Sequence, residues 1–149
     1  MEKPFAFSNR EFNAVRQKIR SLTGINLADS KDNMVYSRLS RRLRALKLTT
    51  FQAYLDYLDN HQGETEHFIN SLTTNLTSFF REAHHFEQLA EYLHVHPEPL
   101  RIWCTASSSG EEPYSIAMTC AEARGSLNTN VKIYASDIDS RMLERAKAG

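Results

Sequence analysis

The sequence predicts an α + α/β chain: a small N-terminal helical domain, then the opening β-α-β-α part of a parallel α/β domain. Three observations predict it. Four short amphipathic segments with brief polar connections fill the first half of the 149 residues. A β-favouring run, Ile102-Trp103-Cys104-Thr105, then meets the small-residue turn at 106–110 and a helix opening with Glu111, Glu112 and Pro113. A second β-favouring run over 131–136 ends in Asp137-Ile138-Asp139 and leads into another helical segment.

Ser8 and Glu11 form a capping-box pattern at the head of the first helix, with Phe12, Val15, Ile19 and Leu22 on its apolar face and Gly24 at its end. A polar turn at 29–32 starts the second, whose apolar positions are Val35, Leu39, Leu43 and Leu46. Arg38, Arg41, Arg42 and Arg44 lie beside or opposite that face, and are expected to be exposed. Thr49 and Gln52 propose a second capping box, before Phe51, Tyr54, Leu55 and Leu58. After a turn at 60–63, a fourth helix carries Phe68, Ile69, Leu72 and Leu76.

The run NLTSFFRE at 75–82 breaks this rhythm, because Asn, Thr and Ser favour local bonds to the backbone. Phe79 and Phe80 are expected to anchor it, and a helix with Phe86, Leu89, Ala90 and Leu93 follows up to Pro97. The domains expected are therefore 1–74 (helical), 75–99 (segment and linker helix) and 100–149 (start of the α/β domain). Two strands do not make a stable open sheet buried on both faces, so the chain is read either as a truncated piece or as one whose missing layers come from elsewhere.

With 41% hydrophobic and 24% charged residues, the composition is that of a soluble globular protein. No apolar run reaches the roughly 18–20 residues of a membrane span, and the N-terminus lacks the apolar core of a signal peptide. Cys104 and Cys120 have no metal-type spacing and fit a reduced, cytoplasmic protein. The formal charge of zero conceals polarity. Residues 10–47 hold ten basic and three acidic side chains, whereas 48–99 hold eight acidic and one basic, Arg81. The basic segment suits an acidic partner; no nucleic-acid motif accompanies it, so a protein surface is preferred.

Two constellations carry chemistry. Asp137 stands 27 positions after Gly110 (137 − 110), at the end of the second strand, where a carboxylate can accept the hydroxyls of a ribose. Asp139 reads instead as a helix cap. The turn itself has one glycine and two carboxylates where a pyrophosphate would sit. Glu111 and Glu112 either favour the helix N-terminus as plain surface charges or face a cationic ligand such as a sulfonium. His84 and His85 are adjacent, so their side chains are expected to diverge on a helix without chelating a metal.

The blocks TTNLTSFFREAHHF (73–86), SSGEEPYSIAM (108–118) and ASDID (135–139), with DNMVYSRLSRRLRAL (32–46), together resemble the CheR family of chemotaxis receptor methyltransferases. The resemblance covers nearly the whole chain. It implies a Rossmann-like class I methyltransferase domain that uses S-adenosylmethionine, releases S-adenosylhomocysteine and needs no metal. The implied products are glutamate γ-methyl esters on the cytoplasmic helical bundle of chemoreceptors, the reaction of sensory adaptation. By the same resemblance Asn75, Thr77, Arg81, Ala106, Glu112 and Asp137 line the donor site. Arg81 is further hypothesised to lie close to the incoming glutamate, as the catalytic candidate. Arg38, Arg41, Arg42 and Arg44 match the basic helix implied to dock on the receptor. No nucleic acid or membrane insertion is implied. A non-catalytic receptor- or regulator-binding fragment is the rival reading, and a nicotinamide-dependent oxidoreductase is disfavoured by the missing glycines.

Overall fold

A computed structural model describes residues 4–149, so the first three residues of the expected helical domain lie outside the described residues. The chain divides into two compact units at Thr73/Thr74.

The first unit is helical throughout. Its elements are α1 (Asn9–Thr23), a short 3-10 turn (Asp29–Lys31), α2 (Asp32–Ala45), α3 (Phe51–Asn60) and α4 (Gln62–Leu72). The Ser8–Glu11 capping box forms in both directions: Glu11 N–H donates to Ser8 Oγ at 3.3 Å, and Ser8 N–H donates to Glu11 Oε2 at 2.7 Å. At the other end of α1, Gly24 takes a left-handed φ of 78° and its N–H donates to the Arg20 carbonyl. The expected second box is displaced by one residue. Thr50, not Thr49, caps α3 by accepting from Ala53 N–H at 3.1 Å, while Gln52 donates to Asp56. The expected 60–63 turn shrinks to His61, which separates α3 from α4 alone.

Phe12, Val15, Ile19, Val35, Leu39, Leu43, Phe51, Tyr54, Leu58, Phe68 and Leu72 form one core, each burial contributing about 1.5–3 kcal/mol before the cost of ordering. Leu22 stays exposed at the end of α1, and Leu76 falls beyond α4 and is 74% exposed.

The expectation that all four arginines are exposed does not hold. Arg42 is half-buried, and its Nε and Nη2 donate to Oε1 and Oε2 of Glu64 at 2.8 and 2.6 Å. Glu64 is 4% exposed and also accepts from the Tyr54 hydroxyl at 2.9 Å. Arg38 is half-buried as well, donating to the carbonyls of Thr73 at 2.6 Å and Ser71 at 3.5 Å. Both lie on the flank of α2 that turns to α4, where a guanidinium's fixed fork of donors can satisfy a buried carboxylate or the last carbonyls of a helix. Arg41 and Arg44 remain exposed, the latter with its guanidinium 5.8 Å from the Phe5 ring centre.

The second unit comprises the segment at 75–83, α5 (His84–Val95), β1 (Leu100–Cys104), α6 (Glu111–Arg124), β2 (Val131–Ala135) and α7 (Ser140–Ala148). β1 and β2 pair in parallel, with Leu100 opposite Val131, Ile102 opposite Ile133 and Cys104 opposite Ala135. Parallel pairing requires a crossover, and α6 supplies it. Alternation sends Leu100, Ile102, Cys104, Val131 and Ile133 to one face, where they pack with Phe86 and Leu93 of α5 and Ile116 and Cys120 of α6. The first strand is therefore buried on one face. On the other face Trp103 is 69% and Tyr134 52% exposed, and with Arg101 and Ile102 they line a shallow depression of about 370 Å³. His84 and His85 do not diverge: both are exposed, unconstrained by packing, and their rings lie 4.1 Å apart. Among the described residues no group of three or more His, Cys, Asp or Glu has metal-binding geometry, and no helix is long and apolar enough to cross a membrane.

Candidate functional site

The site lies at the carboxyl ends of the two strands, where parallel sheets characteristically bind ligands. The strand pairing continues one step beyond the strands themselves. Ser136 N–H donates to the Cys104 carbonyl at 2.9 Å, and Ser107 N–H donates to the Ser136 carbonyl at 3.0 Å. The chain then folds back tightly, closed by Gly110 N–H to the Ser107 carbonyl at 3.0 Å. Gly110 has φ 104°, and a Cβ there would meet Ala146 Cβ and Tyr114 Cε2 at 3.0 Å. Only glycine serves at this point. Ser108 holds a left-handed φ of 47° without being glycine.

Asp137 fastens this turn. Its Oδ2 accepts the Ser108 N–H at 2.7 Å and its Oδ1 accepts the Asp139 N–H at 2.8 Å. Each oxygen keeps capacity for a further donor, so a ribose diol can add to this pattern. Asp139 caps α7 as expected, accepting from Arg141 N–H at 3.1 Å, and is fully buried. Its Oδ2 also receives Arg141 Nη2 and Asn75 Nδ2, both at 2.8 Å.

That last bond brings the segment before α5 over the turn. Asn75 is held by its side chain to Asp139 and by its carbonyl, which accepts from Ser108 Oγ at 3.4 Å. Five residues on, Phe80 N–H donates to Ser115 Oγ in α6 at 3.0 Å. Between these points the chain makes an arch with Thr77 half-buried on it. Arg81 follows, exposed, with Nη1 donating to the Leu76 carbonyl at 3.2 Å. The two phenylalanines anchor the arch less than their sequence implied. Phe79 is 56% and Phe80 40% exposed, although the Phe80 ring meets Phe86 edge-on at 5.3 Å.

The electrostatics agree with convergence on one spot. Burial pushes the Cys104 thiol up to about 11, helped by the charge of Glu112, its acceptance of a hydrogen bond from the thiol, and the more distant charge of Asp137. The two carboxylates named from sequence therefore flank the end of β1. Ala106 is exposed in the same turn and admits a close approach. Ser107 is fully buried there, and its hydroxyl has no partner among the described residues. Sequence reasoning assigned neither Ser107 nor Ser115 a role. A polar residue on the apolar side of α6, beside Ile116 and Cys120, was the signal for Ser115; nothing distinguished Ser107 from its two neighbouring serines.

The donor set fits a sulfonium nucleoside better than a phosphate. Two acids, Glu112 and Asp137, border the turn; Glu111 beside them accepts from Ser109 Oγ at 2.7 Å. A phosphate would meet like charge, whereas a positive sulfur and ribose hydroxyls would meet acceptors.

Comparison with known proteins agrees. Residues 10–73 match the family described as CheR methyltransferase, all-alpha domain, and residues 75–149 match CheR methyltransferase, SAM binding domain. Chemotaxis protein methyltransferase 2 of Pseudomonas aeruginosa is 54% identical over 149 residues, covering 97% of this chain and 53% of that protein. The chemotaxis protein methyltransferase of Escherichia coli is 51% identical over 151 residues, covering 100% of this chain and 53% of that protein. That of Borreliella burgdorferi is 36% identical over 139 residues, 85% of this chain and 49% of its own length. The chain spans about half the length of the curated relatives it matches. With a helical unit and the opening of a Rossmann-like donor-binding unit matching in order over nearly all its residues, the chain belongs to the CheR methyltransferase family.

Proposed function

We propose that this chain carries the donor site of an S-adenosylmethionine-dependent methyltransferase acting on glutamate side chains of the cytoplasmic helical bundle of chemoreceptors. The products are γ-glutamyl methyl esters and S-adenosylhomocysteine, and the biological outcome is sensory adaptation in the cytoplasm. One observation carries the reading: the 75–81 arch and Asp137 are both fastened to the 106–112 turn, through Ser108 Oγ to the Asn75 carbonyl and Ser108 N–H to Asp137.

When bound, the donor supplies an electrophilic methyl group. Asp137 takes the ribose hydroxyls, Glu112 answers the positive charge, and Ala106 lets the methionine part pass close to the backbone. Asn75 and Thr77 line the arch above. A glutamate substrate is already ionised at pH 7 and needs no general base. In-line displacement then calls for position and desolvation, with no metal in the scheme. Arg81, exposed at the end of the arch, is the cation available to orient the incoming carboxylate. Arg41 and Arg44, exposed on α2, remain the members of the basic stripe free to meet an acidic receptor surface.

Calorimetric titration with S-adenosylhomocysteine tests the donor reading directly, and absence of binding by the full-length protein would favour a non-catalytic receptor- or regulator-binding role. Arg81→Ala in that protein is expected to lower methyl transfer to receptor glutamates about 100-fold. Transfer near the wild-type rate would remove Arg81 from the chemistry.

A further inference from the structure

We infer that Ser115 is a positioning residue for the donor site: its buried hydroxyl pins the arch that bears Thr77 and Arg81 onto the first turn of α6. The inference rests on the methyl-donor reading above, and concerns a residue that reading does not use.

Ser115 is 0% exposed, so its hydroxyl serves no solvent contact. The Oγ donates to the Glu111 carbonyl at 2.6 Å and at the same time accepts the Phe80 N–H at 3.0 Å. A hydroxyl has one proton and two lone pairs, so these two bonds are compatible and directional. The first fixes the rotamer against the turn of helix that carries Glu111 and Glu112. The second transmits that position to the arch.

The arch needs such a tie. Arg81 N–H donates to the Ser78 carbonyl at 3.3 Å, closing a four-residue turn with Phe80 at its third position. Phe80 has φ 51°, and Glu82, on the other side of Arg81, has φ 59°. Left-handed backbone at two bulky residues two positions apart is sparsely populated and persists only where surrounding contacts over-determine it. The Phe80–Phe86 ring contact holds the side chain. The Ser115 bond holds the backbone itself, one residue before Arg81. At its other end the arch is already fixed through Asn75 to Asp139 and Ser108. Removing the Ser115 pin therefore frees the Arg81 end alone.

The test uses Ser115→Ala in the full-length protein, a change that removes one oxygen and leaves the helix intact. Amide exchange of residues 76–82 is expected to rise about tenfold, with α5, α7 and β2 unchanged. S-adenosylhomocysteine affinity is expected to fall about tenfold. Unchanged exchange at 76–82 overturns the pin; faster exchange throughout 74–149 reduces Ser115 to a general packing role and also overturns it. Faster local exchange with unchanged affinity breaks the link to the donor site. If the wild-type protein itself does not bind S-adenosylhomocysteine, the donor reading fails, whereas the exchange comparison still judges the pin separately.

Discussion

Among single residues, Glu64 and Cys104 show how burial changes what a side chain does. Glu64 is an acidic side chain only 4% exposed, and it accepts three hydrogen bonds, two from the Arg42 fork and one from the Tyr54 hydroxyl. Burial raises the Tyr54 phenol, and the neighbouring Glu64 charge adds to the rise, so the hydroxyl stays a donor. Arg42→Ala leaves that carboxylate buried without its cation, and is expected to cost the helical unit about 3 kcal/mol in urea unfolding. Cys104 offers a pH test. Its folded thiol titrates near 11, above the ordinary 9.0, so its contribution is complete below pH 9 and is lost as pH rises from 9 through 11. Stability of the second unit should therefore decline over that window, and Cys104→Ala should flatten the decline in unfolding curves taken at successive pH values.

For the elements, local sequence rules act where the chain is its own partner. The Ser8–Glu11 box, the Gly24 cap and the parallel β1/β2 pair with its α6 crossover all follow from spacing and residue type. The 106–112 turn is less forgiving, because it packs against α7. Gly110→Ala combines a left-handed backbone with a Cβ placed 3.0 Å from Ala146 Cβ. A loss of about 2 kcal/mol is expected, read from the thermal midpoint of the second unit. A comparable alanine at Gly63, which has open space around it and ordinary φ, should be neutral or better.

At the level of the whole molecule, the two units have separate cores. The first gathers α1 to α4 around Phe51, Tyr54 and Phe68; the second gathers α5, α6 and one face of the sheet. Residues 1–73 expressed alone are expected to give a helical circular dichroism spectrum and a cooperative thermal transition, since that unit has its own hydrophobic core and the Arg38–Thr73 and Arg42–Glu64 ties lie within it. A non-cooperative melt would show that its core needs support from outside. The charge polarity seen in the sequence is partly internal to this unit. Arg42 is taken by Glu64 and Arg38 by α4 carbonyls, which leaves Arg41 and Arg44 as outward cations on α2.

The sequence by itself determined the order of elements, the helical-then-α/β division, the turn between the first strand and its helix, and the family. Periodicity, caps and small-residue turns are local, and four blocks in the right order are specific. Its reading of Asp137 rests on the spacing of a parallel β-α-β unit, whereas the choice of Glu112 over Glu111 comes from the family resemblance. Tertiary structure decided which polar groups are tied up and which are available. From sequence Arg38, Arg41, Arg42 and Arg44 are all expected to be exposed, because their positions show only that they lie off the apolar stripe of α2, whereas which of them meets α4 depends on where that helix packs. Asn75 meets Asp139 across 64 positions, and Phe80 meets Ser115 across 35. Such bonds depend on distances between elements, which no spacing rule encodes. The open face bearing Trp103 and Tyr134 belongs to the same class: β propensity marked the strand, but what packs on each side of a sheet is a property of its neighbours.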